Sequence, residues 1–270
     1  MAESKAVKKP AAKNRIGLMD DLRGFCVLCM IFYHGFLLAF SSFGVVAGGQ
    51  AYDFFRPAQP FFAGTFILLC GISCRLSHSN RDRGLKLLAV ALAINLITIL
   101  GLPRLKPLGF DFSGTEIWFG ILDLLAVCIL FFALTHRVLD WLPPAAGAYL
   151  MLVLWYVTRF VEAGQIGFPG ELVKTLPAEW YTHFWTFPLG IHTATFWSAD
   201  YFPLLPWMFL FLAGCYFGIY IREGHVPDFA RKSRLGRPIN WLGRHALLVY
   251  IVHVPAWFVV LELAHLIHLI

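Results

Sequence analysis

His34, Asp123, His253 and Glu262 stand inside long apolar stretches of a 270-residue chain. An ionisable group at the centre of a bilayer costs about 3 kcal/mol or more, so such side chains turn toward a bundle interior and usually serve a function. Counting ~1.5 Å per residue from the outer boundary of each stretch puts His34 and Asp123 at a common depth of ~9 Å. An imidazole and a carboxylate at one level can work as base and orienter, taking a proton from a hydroxyl or an amine. The alternative is a structural hydrogen bond that only ties helices together. His253 lies near the middle of the last stretch with Tyr250 one turn before it, whereas Glu262 follows nine positions on, about 180° around a helix. Both cannot face one pocket. His253 is the better interior candidate, for catalysis or for structure, and Glu262 is close enough to the interface to snorkel.

Arg23 and His34 are eleven residues apart, which on a helix leaves them ~20° apart in azimuth and ~16 Å apart along the axis. They share one stripe. An arginine at the mouth of a span can hold a phosphate, and an arm extended from that phosphate reaches the level of His34. Arg23 can as easily pair with Asp20 one turn earlier. Asn95 reads as interhelical glue. The remaining histidines lie in loops or at boundaries, and among them His192 stands out because it falls in a segment rich in aromatics, with Trp180, Tyr181, Phe184, Trp185, Phe187, Phe196 and Trp197.

The elements that must carry these residues are transmembrane helices. Apolar residues make up 59% of the chain and charged residues 14%, and the apolar residues come in blocks rather than amphipathic stripes. A hydrocarbon core about 30 Å thick needs ~20 helical residues to cross. Seven blocks approach that length, near 22–40, 57–74, 85–102, 117–134, 145–160, 202–221 and 246–270. Backbone groups in lipid must pair internally, and segments this long are helices rather than barrel strands. The expected fold is therefore an all-α, polytopic membrane helix bundle of about seven transmembrane helices. The fifth block is short after Pro143 and Pro144, and a failure there would invert everything that follows.

The net charge of +6 reports topology rather than nucleic-acid binding. With the N-terminus inside, 17 of the 22 basic residues fall in cytoplasmic segments, which sets the N-terminus in the cytoplasm and the C-terminus outside. Residues 1–15 read as a basic, disordered cytoplasmic tail without a cleavage site, and 16–270 as a single transmembrane domain free of repeats. The six cysteines all lie in apolar spans and read as small hydrophobes, not as disulfides or a metal site. The segment 161–201 is an interfacial aromatic belt or an acceptor-binding loop, and the basic segment 222–244 is a topogenic inner loop.

At these same residues the sequence resembles the transmembrane acyltransferase superfamily, and specifically bacterial relatives of the heparan-α-glucosaminide N-acetyltransferase catalytic domain. The resemblance runs from Asp20-Asp21-Leu22-Arg23-Gly24 to His34, which is also similar to the Arg-x10-His signature of the acyltransferase-3 branch. It continues through Phe61-Phe62 to Gly71-Ile72-Ser73, Phe119-Gly120-Ile121-Leu122-Asp123, the block from Ser198 through Asp200 and Tyr201 to Trp207, and Leu242-Gly243-Arg244-His245 through Tyr250, His253 and Pro255.

The resemblance implies an acetyl-CoA donor entering from the cytoplasm and an acetylated carbohydrate amine or hydroxyl on the other face. It also implies a bacterial inner-membrane location, with the lipid bilayer as surroundings and a homodimer as an allowed assembly. In these terms His34, Asp123 and His253 are the catalytic candidates. Arg23, Arg75, Arg81 and Arg83 would hold the donor, and Asp200, Tyr201, Trp207 and His192 the acceptor, with no metal. The first outer loop has no histidine between Phe40 and Arg56, and Gln50 falls closest to the place where the lysosomal enzyme has one. His34 therefore becomes the leading base. Two other classes remain open on the sequence: a transporter or channel, which would show repeated halves and interrupted helices, and a b-type cytochrome with His34 and His253 as axial ligands.

Overall fold

In the computed structural model, residues 16–108, 112, 114–168 and 172–269 are described. The basic tail expected over residues 1–15 lies outside them. The helices are α1 (Gly17–Ser41), α2 (Val46–Phe55), α3 (Gln59–Arg75), α4 (Asn80–Leu96), α5 (Ile121–Leu139), α6 (Pro144–Thr158), α7 (Leu204–Arg222), α8 (Asp228–Arg231), α9 (Arg237–Arg244) and α10 (Ala246–Leu266). A short antiparallel ribbon, β1 (Gln165–Phe168) with β2 (Leu172–Thr175), pairs Gln165 with Thr175.

Seven helical stretches are long and apolar enough to cross a membrane. The protein is thus an all-α integral membrane protein, as its composition implies. Among the boundaries that differ from the sequence expectation, three have a clear local reason. The second stretch begins at Val46, because α2 runs into α3 through a 3₁₀ turn at Arg56–Ala58 whose Pro57 suits the start of a helical segment. The third begins at Asn80, with Asp82 in its first turn at the positive end of the helix dipole. The fifth, expected to be short, reaches 20 residues because α6 starts on Pro144 and is prolonged by a 3₁₀ turn at Val161–Ala163.

The chain divides into two compact units, one made of Met1–Ala63 with Val226–Ile270 and the other of Gly64–His225. In the first, α1 packs with α2, α9 and α10. Its helices invert the soluble pattern. Only Ala246, His253 and Leu261 are buried along α10, while Leu248, Val252, Val259, Val260, Leu263 and Leu266 are exposed. Burying a histidine and exposing valines and leucines makes sense only where the surroundings are hydrocarbon.

The second unit contains α4 to α7, most of α3, and the ribbon. Its core lies along α5 and α7, with Leu124, Ala126 and Cys128 facing inward on one and Phe211, Ala213 and Cys215 on the other. Each of the six cysteines is a thiol outside any disulfide, and four of them are buried. Helices α3 and α7 meet backbone to backbone through two glycines. A Cβ on Gly71 would strike the carbonyl of Phe211, and one on Gly214 would strike the carbonyl of Leu68. In lipid no hydrophobic force draws helices together, so close approach through small residues supplies the packing.

Replacing either glycine by alanine should therefore cost about 1 to 3 kcal/mol, the range for overpacked cores. Thermal unfolding of the detergent-solubilised protein should show a lowered midpoint for Gly71→Ala and Gly214→Ala. Midpoints equal to that of the native chain would mean the two backbones are not in contact.

Candidate functional site

Within the first unit, His34 of α1 and His253 of α10 meet directly. His34 Nδ1 and His253 Nε2 are hydrogen-bonded at 2.7 Å, and the rings lie 5.0 Å apart at 23°. The other nitrogen of His253, Nδ1, sits 2.6 Å from the carbonyl oxygen of Tyr250, one turn back on its own helix. His253 is only 6% exposed, whereas His34 is half-buried. An aromatic wall surrounds the pair. Tyr33 meets His34 edge-on at 5.5 Å and shares a 3.1 Å hydroxyl hydrogen bond with Tyr52 of α2, and Tyr250 tilts against His253 at 5.6 Å.

The next turn of α10 locks the register. Trp257 Nε1 donates to the carbonyl of Ile31 at 2.9 Å, and its indole lies where a Cβ of Gly35 would be. Glycine beside His34 therefore lets the two helices approach at the level of the histidines.

At the start of α1 a second polar group forms. Asp21 is 0% exposed, and its carboxylate accepts four hydrogen bonds: from Ser233 Oγ at 2.7 Å, Arg234 N at 2.6 Å, Leu235 N at 3.1 Å and Asn240 Nδ2 at 3.0 Å. These ties hold the segment leading into α9 against α1. The contact is close enough that a Cβ on Gly24 would strike the Ile239 carbonyl and one on Gly243 the Asp20 carbonyl. Asp20 then stands between two arginines, 3.1 Å from Arg23 Nη1 and 3.6 Å from Arg244 Nε. Sequence reading singled out Arg23 and its alternative partner Asp20. It missed Asp21 as an anchor, although the acidic doublet at the head of a span and Asn240 in a basic loop were the available signals.

The second unit keeps its own polar groups in use. Asp123 is the third residue of α5, where its Oδ2 accepts from Gly120 N at 2.9 Å and its Oδ1 from Asn95 Nδ2 at 3.0 Å. Asn95 is thus the interhelical tie that its position suggested, joining α4 to α5. Asp200 Oδ2 accepts from Ile121 N at 3.0 Å. Two carboxylates therefore close the N-terminus of α5, where the helix dipole favours negative charge. Both hydrogen-bonded oxygens of Asp123 serve its own unit, while His34 takes His253 as partner in the other unit.

Tyr201 donates to the carbonyl of Phe187 at 2.6 Å, and burial, with Glu162 nearby, pushes its phenol well above the ordinary range. His192 packs against Phe196 and Tyr201 at 4.8 and 5.4 Å. Its Nδ1 donates to the Thr193 carbonyl at 3.0 Å, and its Nε2 lies 3.6 Å from Glu162. Trp207 leans on Phe202 at 5.6 Å. The acceptor candidates His192 and Tyr201 are thus in contact, and Phe184, Phe187, Phe196 and Trp118 extend the aromatic cluster around them.

Of the donor candidates in this unit, Arg75 is committed inward. It is 7% exposed, donates to the Cys215 carbonyl at 3.2 Å, pairs with Asp140 at 2.7 Å and covers the Phe132 ring at 4.9 Å. Arg81 and Arg83 are exposed. Among the described residues, no group of three or more His, Cys, Asp or Glu is arranged to hold a metal ion.

Seven apolar spans, with a histidine pair turned away from lipid and the carboxylates Asp21, Asp123 and Asp200 buried against hydrogen-bond donors, define a polytopic helical membrane protein. Most of the chain carries the family's pattern: the model for heparan-alpha-glucosaminide N-acetyltransferase, catalytic, matches residues 15–255. The chain belongs to that family of membrane acetyltransferases. No curated protein and no solved structure matches it.

Asp21→Asn tests the anchor. It removes the charge and turns an amide N–H toward donors, which should cost about 1.5 to 3 kcal/mol for each charge-assisted bond lost. Trypsin should then cleave after Lys232 and Arg234 faster than in the native protein. Unchanged cleavage would show that the segment is held by something else.

Proposed function

We propose that the protein transfers an acetyl group from cytoplasmic acetyl-CoA to an amine or hydroxyl of a carbohydrate on the opposite face of a bacterial inner membrane, with its N-terminus in the cytoplasm. The observation that carries this reading is the His34 and His253 pair: a half-buried imidazole held by a buried one inside helices that otherwise present hydrocarbon. Family membership supports the transferase class. The 17-to-5 split of basic residues supports the orientation.

In this reading the acceptor's nitrogen or oxygen attacks the thioester carbonyl carbon as His34 removes its proton. The carbon–sulfur bond breaks, and the leaving thiolate takes that proton back from the imidazolium. The products are the acetylated acceptor and free CoA thiol. His34 is the base. Asp123 is proposed as a second catalytic group, and Tyr201, His192, Asp200 and Trp207 as residues that bind the sugar. Arg23 is the first candidate for the donor's phosphates, because it stands with Arg244 around a single carboxylate. Arg81 and Arg83 are exposed alternatives, and Arg75 is the least available of the four.

Labelled acetyl-CoA supplied to membranes with a panel of envelope sugars should yield labelled acceptor. His34→Ala should abolish turnover while leaving CoA binding nearly intact, a loss of roughly 10² to 10⁴ in rate. Asp123→Asn should cost less, since an amide can still accept one of the two hydrogen bonds. Near-normal transfer by His34→Ala would sink the proposal.

Donor affinity gives a separate measurement. A charge-assisted contact to phosphate is worth about 1.5 to 3 kcal/mol, so Arg23→Ala should weaken CoA binding by roughly ten-fold or more. An unchanged dissociation constant would leave Arg23 as a helix-end partner of Asp20.

A further inference from the structure

We infer that His253 is a positioning residue: it decides which nitrogen of His34 is free to take a proton. The chemistry rests on the acyl-transfer reading above, but the geometry stands on the hydrogen-bond chain alone. A carbonyl oxygen only accepts, so the 2.6 Å contact between His253 Nδ1 and the Tyr250 carbonyl places a proton on Nδ1. A neutral imidazole carries one N–H, which leaves Nε2 of His253 as a lone pair. The 2.7 Å hydrogen bond to His34 must then be donated by His34 Nδ1. His34 has thereby placed its one proton on Nδ1. Its Nε2 is bare.

The chain can run in one direction only, because it ends on a backbone carbonyl that cannot invert as a side-chain amide can. Two protonated rings would leave no acceptor between them, so the 2.7 Å contact requires at least one neutral imidazole.

The arrangement also suits the proton's movement. When Nε2 of His34 takes a proton from the acceptor, the resulting imidazolium still donates through Nδ1 to His253, and neither ring has to turn. When the proton passes to the leaving thiolate, the starting tautomer returns. Trp257, bonded to the Ile31 carbonyl and lying against Gly35, fixes the register that keeps the two nitrogens in line. His253 thus does for His34 what a buried carboxylate does in a serine hydrolase triad, without placing a second charge in the membrane.

Nitrogen NMR of the full-length protein, ¹⁵N-labelled at histidine and held in lipid nanodiscs at neutral pH, separates protonated from bare imidazole nitrogens. The His34 signals are assigned by their loss in His34→Gln. The expected pattern is a protonated Nδ1 and a bare Nε2. In His253→Leu, which removes the acceptor, His34 should lose this preference and kcat for acetyl transfer should fall by roughly 10² to 10⁴, the range a misdirected base costs, with little change in the donor's KM. His253→Gln, which can offer a carbonyl oxygen in place of Nε2, should restore the Nδ1-protonated form and recover much of the rate lost in the leucine variant.

A protonated Nε2 in the native protein would overturn the inference. So would a His34 pattern in a folded His253→Leu protein identical to the native one. A protein that shows the expected pattern, and loses it in His253→Leu, yet acetylates nothing, would uphold the positioning role and remove the acyl-transfer reading instead.

Discussion

A polar side chain inside hydrocarbon keeps its place only when something nearby accepts or donates its hydrogen bond, and the bond between His34 and His253 is where this constraint is met at the level of the proposed chemistry. The two residues are 219 positions apart in the chain. Their contact obliges α10 to turn its single buried histidine toward α1, and by the same rotation to leave its leucines and valines outside. The close approach this needs is available because Gly35 has no Cβ to meet the Trp257 indole. Register, rotation and spacing of the helix pair all follow from one imidazole requiring another.

The same constraint has a different chemical outcome elsewhere in the chain. Asp21, Asp123 and Asp200 are buried, yet each accepts hydrogen bonds from backbone or amide donors at a helix or segment end. Carboxylates held this way organise backbone through charge-assisted hydrogen bonds. Arg75 behaves alike, joining α3 to Asp140 at the end of α5 and to the Cys215 carbonyl in α7. A histidine differs in kind. It satisfies a neighbour with one nitrogen and keeps the other for a reactant, so a structural bond and a chemical role coexist in one ring.

Anchoring by Asp21 connects the two themes. Its four accepted hydrogen bonds fasten the segment between α8 and α9, together with Asn240 of α9, to the N-terminal part of α1, and with it Arg244 comes within reach of the Asp20 that already holds Arg23. A flexible basic loop is thereby replaced by a fixed one. The gain is in geometry rather than in net charge, which suits recognition of an anionic group better than mobile lysines do.

The sequence by itself determined the fold class, the seven spans and the identity of the ionisable residues within them, because the bilayer imposes a length and a hydropathy that local composition reports directly. It also picked out His34, His253 and Asn95 as residues that must find partners in the interior. It did not determine who the partners are. Depth along a helix put His34 and Asp123 at one level, but depth carries no azimuth and so names no hydrogen-bond partner. In the folded chain, His34 is bonded to His253 across α1 and α10, and Asp123 to Asn95 and Gly120 at the head of α5. The four donors gathered on Asp21 come from residues more than 200 positions away. Partner choice depends on helix rotation and on which glycines let backbones touch, and both are settled only when the helices pack.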